Sequence, residues 1–84
     1  MTKFPVVVKN DSGKDGRPIA LFLVQEASQY SSRINIEMND KQINAKSIMG
    51  MMSLTLAAGD ELVVSVDGAD EADAADGLKA FFQA

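Results

Sequence analysis

Three stretches of the 84-residue chain carry groups whose type and spacing could do chemistry. In the first, the loop Gly13-Lys14-Asp15-Gly16-Arg17-Pro18 runs into a segment with helical periodicity. Such a junction offers free N–H groups and the positive end of a helix dipole, which together can hold an anion. Arg17 adds to that field and Asp15 opposes it. A glycine-rich surface turn accounts for the same residues, since short loops of this kind are weak signals.

The second stretch is Asn44-Ala45-Lys46-Ser47-Ile48-Met49-Gly50-Met51-Met52-Ser53-Leu54. Ser47 stands where a helix would begin. A phosphate on its hydroxyl would face free backbone N–H groups and lie beside Lys46. The helix that follows holds too many large apolar groups for one narrow core stripe. Met51 and Leu54 can share a buried face, which leaves Ile48, Met49 and Met52 on the other side. Methionine adapts well to docking surfaces, and an exposed apolar patch marks an interface. The alternative is that Ser47 is only a cap and every methionine is core. The third stretch, Asp70-Glu71-Ala72-Asp73 with Asp76, could hold a metal. Acids are also what a helix N-terminus favours, and the solvated face is the simpler reading.

The composition restricts the chemistry further. There is no histidine and no cysteine, hence no imidazole base, no thiolate nucleophile and no zinc site of the usual ligands. No metal and no cofactor is expected. A net charge of −4 argues against direct binding to nucleic acid, which calls for clustered Lys and Arg. No apolar run approaches the roughly 20 residues of a membrane span. The valines after Pro5 are too few for a signal-peptide core, and a cytoplasmic location is expected. The length allows one domain, residues 1–84, with one modest core.

The elements that must position these groups follow from periodicity. Phe4 to Val8 is strand-like, and Pro5 within it suits an edge. Asn10-Asp11-Ser12-Gly13 is a turn cluster. From Pro18 to about Gln29, Ala20, Leu23, Val24 and Ala27 repeat at helical spacing. Ile34, Ile36 and Met38 alternate as a strand, Asn39-Asp40 turns, and Gln42 to Asn44 returns, making a hairpin. Ser47 caps a short helix to Leu54. Leu62, Val64 and Val66 form another strand, and Asp70 caps a last helix whose core face is Ala74, Leu78 and Phe81 or Phe82. The order β-α-β-β-α-β-α predicts an α+β layer, an antiparallel sheet with helices on one face.

The Lys46 to Leu54 stretch closely resembles the regulatory serine motif of HPr, the histidine-containing phosphocarrier family of the bacterial sugar phosphotransferase system. Asp11-Ser12-Gly13 with Arg17-Pro18 resembles that family's active loop, Gly-x-His-Ala-Arg-Pro. Val24-Gln25-Glu26-Ala27 and Gly68-Ala69-Asp70-Glu71 also fit, so the resemblance covers nearly the whole chain. It implies an HPr-like open-faced sandwich, a four-stranded antiparallel sheet in the order 1-4-2-3 under three helices. The departure is at the phosphocarrier position. Aligned on Arg17-Pro18, the histidine is replaced by Asp15 and the usual alanine by Gly16. Aligned from the helix instead, Gly16 takes the histidine position, and in either register the phosphorelay residue is missing. Between Pro18 and Val24 the chain is one residue longer than the family pattern, and the loop or first helical turn is expected to absorb it.

A histidine-less chain with the serine motif intact resembles the Crh branch of the family. That resemblance implies a regulator rather than an enzyme, phosphorylated on Ser47 by HPr kinase/phosphorylase and then bound by the catabolite control repressor. Ile48, Met49 and Met52 would form the docking patch, with Arg17 and Lys46 engaging acidic or phosphate groups. Other metabolic enzymes are possible partners. In that branch the replacing residue is a neutral Gln, whereas here it is Asp. Two further readings stand beside this one. Asp15 could accept phosphate as an acyl phosphate, or the methionine patch could dock a metabolic enzyme with no phosphorylation at all.

Overall fold

The computed structural model describes residues 1–9, 18–54 and 56–83. Seven elements follow in chain order: β1 (Thr2–Val7), α1 (Ile19–Ala27), β2 (Arg33–Met38), β3 (Lys41–Asn44), α2 (Ile48–Met52), β4 (Glu61–Asp67) and α3 (Glu71–Gln83). The strands form one antiparallel sheet, as the sequence pattern predicts, in the order β1-β4-β2-β3 that the family resemblance implies.

Alternation decides which face is covered. Phe4, Ile34, Ile36, Leu62, Val64 and Val66 point to one side and are buried. They meet Ala20, Leu23, Val24 and Ala27 of α1, Met51 of α2, and Ala74, Ala75, Leu78 and Phe82 of α3 in a single core. Each large side chain so buried contributes about 1.5–3 kcal/mol. Of the two phenylalanines ending α3, Phe82 is the core residue, and Phe81 lies half-buried with its ring edge-on, 5.2 Å from that of Phe82. Among the described residues no helix lies on the opposite side of the sheet, and most of its residues are exposed or half-exposed. Ser65 is an exception, buried between Lys3 and Asn35 of the neighbouring strands.

Local chemistry fixes the register. Asn39 and Asp40 both take positive φ, 52° and 66°, the two-residue turn whose twist suits a hairpin. Pro5 sits on the edge strand β1. Val8 beyond it donates to the Asp60 carbonyl at 2.9 Å and accepts from Gly59 N–H at 2.7 Å. Two-residue alternation from Val8 turns the Pro5 nitrogen away from β4, so its missing N–H costs the ladder nothing. That same side of β1 is then a poorer template for another strand.

α1 runs unbroken from Ile19, with Pro18 in extended conformation just before it. The expected loop adjustment for the extra residue, together with Asp15 and Arg17, falls on residues 10–17, outside the described residues.

Candidate functional site

The site begins where β3 ends. Ala45 N–H extends the ladder by donating to the Ile34 carbonyl at 2.9 Å, and the Ala45 side chain is buried. Asn44 then builds a tight turn. Its Oδ1 accepts from Lys46 N–H at 2.9 Å and its carbonyl from Ser47 N–H at 3.0 Å. The turn delivers Ser47 in extended conformation, φ −92° and ψ 111°, at the start of α2, where its Oγ accepts from Gly50 N–H at 3.1 Å. A serine in this place satisfies one of the free N–H groups of the first turn. Among the described residues the hydroxyl donates to no acceptor, and the side chain is half-buried.

Gly50 lets α2 approach the sheet. A Cβ there would stand 2.9 Å from Cγ2 of Ile43 and 3.2 Å from Oγ of Ser47. With the helix that close, Met51 is fully buried and Leu54 nearly so. The remaining apolar side chains turn outward: Ile48 is 57% exposed, Met49 88% and Met52 48%. The division expected from helical spacing is the one observed.

Lys46 belongs to the same stretch, but its ammonium runs back to donate to the Tyr30 carbonyl at 2.5 Å. It is thereby anchored to the connection between α1 and β2. The sequence pattern gave no sign of this bond.

The acidic third stretch is structural. Asp70 was expected to cap α3, yet its carboxylate accepts from the N–H groups of Ser31 and Ser32, at 2.8 and 2.9 Å, and from the Ser32 hydroxyl. It ties the end of α3 to the start of β2 rather than closing its own helix. The Ser32 hydroxyl and the serine N–H groups hold the Asp70 carboxyl down at about 2, from an ordinary 3.8. Glu71 accepts from Thr2 Oγ1 at 2.7 Å, and that bond lowers its pKa too. Among the described residues no group of three or more potential ligands gathers to hold a metal ion. Nor is any described helix long and apolar enough to cross a membrane.

A further polar group escaped sequence reasoning. Ser31, Arg33, Asn44, Lys46, Asp67 and Gly68 border a hollow of about 490 Å³ at one end of the uncovered sheet face. They come from separate segments, and only the strand register brings them together.

A four-stranded 1-4-2-3 sheet under three helices, with a serine capping a short apolar helix after β3, defines a phosphocarrier-type domain. The family model for the PTS HPr component phosphorylation site matches residues 2–84, and the chain belongs to the HPr family. It is similar to the HPr-like protein Crh of Halalkalibacterium halodurans, 45% identical over 83 residues covering 99% of this chain and 98% of the relative. The HPr-like protein Crh of Bacillus subtilis is 42% identical over 83 residues, covering 99% and 96%. Among solved structures, HPr-C-His from Thermoanaerobacter tengcongensis superposes with a TM-score of 0.87 at 40% identity, over 99% of this chain and 92% of that one. Proteins of this family are phosphocarriers or regulators, not enzymes, and the chain has an HPr-family role of that kind.

Proposed function

We propose that the chain is a regulatory adaptor in carbon catabolite repression, switched by phosphorylation of Ser47 and docked through Ile48, Met49 and Met52. The reading rests above all on one juxtaposition: a serine hydroxyl that donates to no described residue, next to three large apolar side chains left largely in solvent. In the switching step Ser47 Oγ attacks the γ-phosphoryl group of ATP, ADP leaves, and the hydroxyl proton is lost. The ester adds about −1.5 to −2 charges and three acceptor oxygens. Those oxygens keep the cap on the first-turn N–H groups and offer new charge to Arg or Lys of a repressor. The apolar side chains supply affinity. The absence of histidine and the likeness to Crh proteins favour this role over phosphocarrier transfer. Arg17 and Lys46 are the basic groups proposed to assist, Lys46 with the two ammonium protons that Tyr30 leaves free.

The test is incubation with HPr kinase/phosphorylase and ATP, read by intact mass and peptide mapping. One acid-stable phosphate on Ser47 is expected, followed by binding to the catabolite control repressor. Ser47→Ala should lose both while remaining folded, at a cost of about 1 kcal/mol for the missing cap. The exposure of Met49 also favours a second reading, docking without phosphate. There Met49→Ala abolishes partner binding and Ser47→Ala leaves it intact, so the pair of variants separates the two.

A further inference from the structure

Asn35 of β2 pairs with Asn44 of β3. Continued one pleat past the end of β3, that antiparallel register sets Arg33 opposite Lys46. On its other side Arg33 pairs with Asp67 of β4. Arg33, Asn44 and Asp67 thus share the face of the sheet that no helix covers, and with Lys46, Ser31 and Gly68 they border the hollow of about 490 Å³.

The hollow is rich in unused donors. Among the described residues neither Arg33 nor Lys46 takes part in an ion pair. Lys46 gives one ammonium proton to the Tyr30 carbonyl, which fixes its position and leaves two. Asn44 spends its Oδ1 on Lys46 N–H, so its amide protons remain to be placed. Ser31 is exposed, and its N–H is already given to the Asp70 carboxylate. Asp70, the nearest carboxylate behind this rim, is already occupied by Ser31 and Ser32. Asp67, paired with Arg33 across β2 and β4, is the carboxylate on the rim of the hollow, opposed by Arg33 and Lys46.

We infer that this hollow binds the dianionic phosphate of a small phosphate monoester. Two cations on one rim, neither in an ion pair among the described residues, match a dianion, whereas a carboxylate would satisfy one of them. A guanidinium presents a planar fork of N–H donors to phosphate oxygens, and an ammonium acts as a point charge. The volume is within the usual range for small-molecule clefts, about 300–1,000 Å³. Two cations in a chain of net charge −4 are too few to track a nucleic-acid backbone.

The experiment titrates the ¹⁵N-labelled full chain with methyl phosphate at about pH 7, beside methyl sulfate, a monoanion of the same shape, at matched ionic strength. Saturable amide shifts are expected at Ser31, Arg33, Asn44 and Lys46, with methyl sulfate markedly weaker. Arg33→Gln and Lys46→Gln should each weaken binding by about tenfold. Asp67→Asn should tighten it by about two- to threefold, a gain that no loss of folding can imitate. Binding should also fade as the pH falls through about 6, where a monoester takes up its second proton. Equal response to methyl sulfate, shifts that never saturate or centre elsewhere, or affinity unchanged in Arg33→Gln and Asp67→Asn would each overturn the assignment.

Discussion

Helices α2 and α3 lie on the same face of the same sheet and use their apolar residues in opposite ways. α3 has 13 residues and turns Ala74, Ala75, Leu78 and Phe82 inward, leaving Asp73, Asp76, Lys79 and Gln83 in solvent. Even its exposed Lys79 is drawn toward the core, its ammonium 5.0 Å from the centre of the Phe4 ring. α2 has five residues, of which Met51 alone is buried. A helix of five residues cannot sustain itself in water. It is held by the Ser47 cap, by the close fit of Gly50 on Ile43, and by Met51 as its anchor. Met49, 88% exposed, takes little part in that anchoring, and Ile48 and Met52 leave about half of their surface in water. The contrast teaches that their exposure is not careless patterning, because α3 shows how fully this chain can sort polar from apolar where only packing is at stake. Large apolar groups left in water beside the Ser47 hydroxyl are what the proposed docking role calls for.

The sharpest way to break the comparison is within α2 itself. Met51→Ala should destabilise the fold by about 2–5 kcal/mol in urea unfolding, the range for emptying a buried methionine site. Met49→Ala should stay within about 0.5 kcal/mol, as surface substitutions do, while removing partner binding. If the two variants unfold alike, the patch is packed in solution and the contrast with α3 disappears. A somewhat smaller effect is expected at Gly50. Gly50→Ala forces a Cβ to within 2.9 Å of Ile43 Cγ2, an overpacking that costs about 1–3 kcal/mol. Adding Ile43→Ala should return part of that loss, and the coupling between the two sites measures how firmly α2 is seated on β3.

Much of this division was legible in the chain. The alternation of Ile34, Ile36 and Met38 and of Leu62, Val64 and Val66 depends on a two-residue period, and Asn39-Asp40 on a local turn. Ser47 with Met51 and Leu54 depends on helical spacing. All of these are set by near neighbours. The β1 strand starts at Thr2, ahead of the apolar run that signalled it, because pairing with Val66 holds a residue whose own type says little. Asp70 does stand at the cap position, its carbonyl accepting from Ala74 N–H, but its side chain was misread for a related reason. An acid before a helix is a good cap by local rules, but folding brings Ser31 and Ser32 to it with three donors, and a carboxylate takes the better set. Lys46 on the Tyr30 carbonyl, and Arg33 across from Lys46, are likewise products of register and chain packing. Nothing within a few residues of either lysine or arginine announces them. The Ser47 cap and its outward apolar neighbours were therefore visible from sequence, and the basic hollow only from the sheet.

The smallest expected effect at neutral pH, and one that sharpens the contrast between the helices, concerns how each is fastened. α2 is fastened by a neutral hydroxyl and α3 by a carboxylate, so only the second fastening should respond to acid. The Asp70 carboxyl is held at about 2 in the folded chain against an ordinary 3.8. Because the folded pKa is the lower one, the charged form favours folding. Its contribution is complete above about 3.8 and is lost as the pH falls through about 2. Glu71, lowered by the Thr2 hydrogen bond, works in the same direction from its own ordinary value of 4.5. Hydrogen exchange or urea midpoints followed from pH 5 down to about 2 should show protection falling first around Ser31, Ser32 and the start of α3, with the amide of Gly50 responding later. Asp70→Asn should flatten that acid limb, since an amide cannot titrate, while leaving the α2 amides as they were. An unchanged acid limb in Asp70→Asn would mean that α3 is fastened by packing alone, and the two helices would then differ only in what they leave exposed.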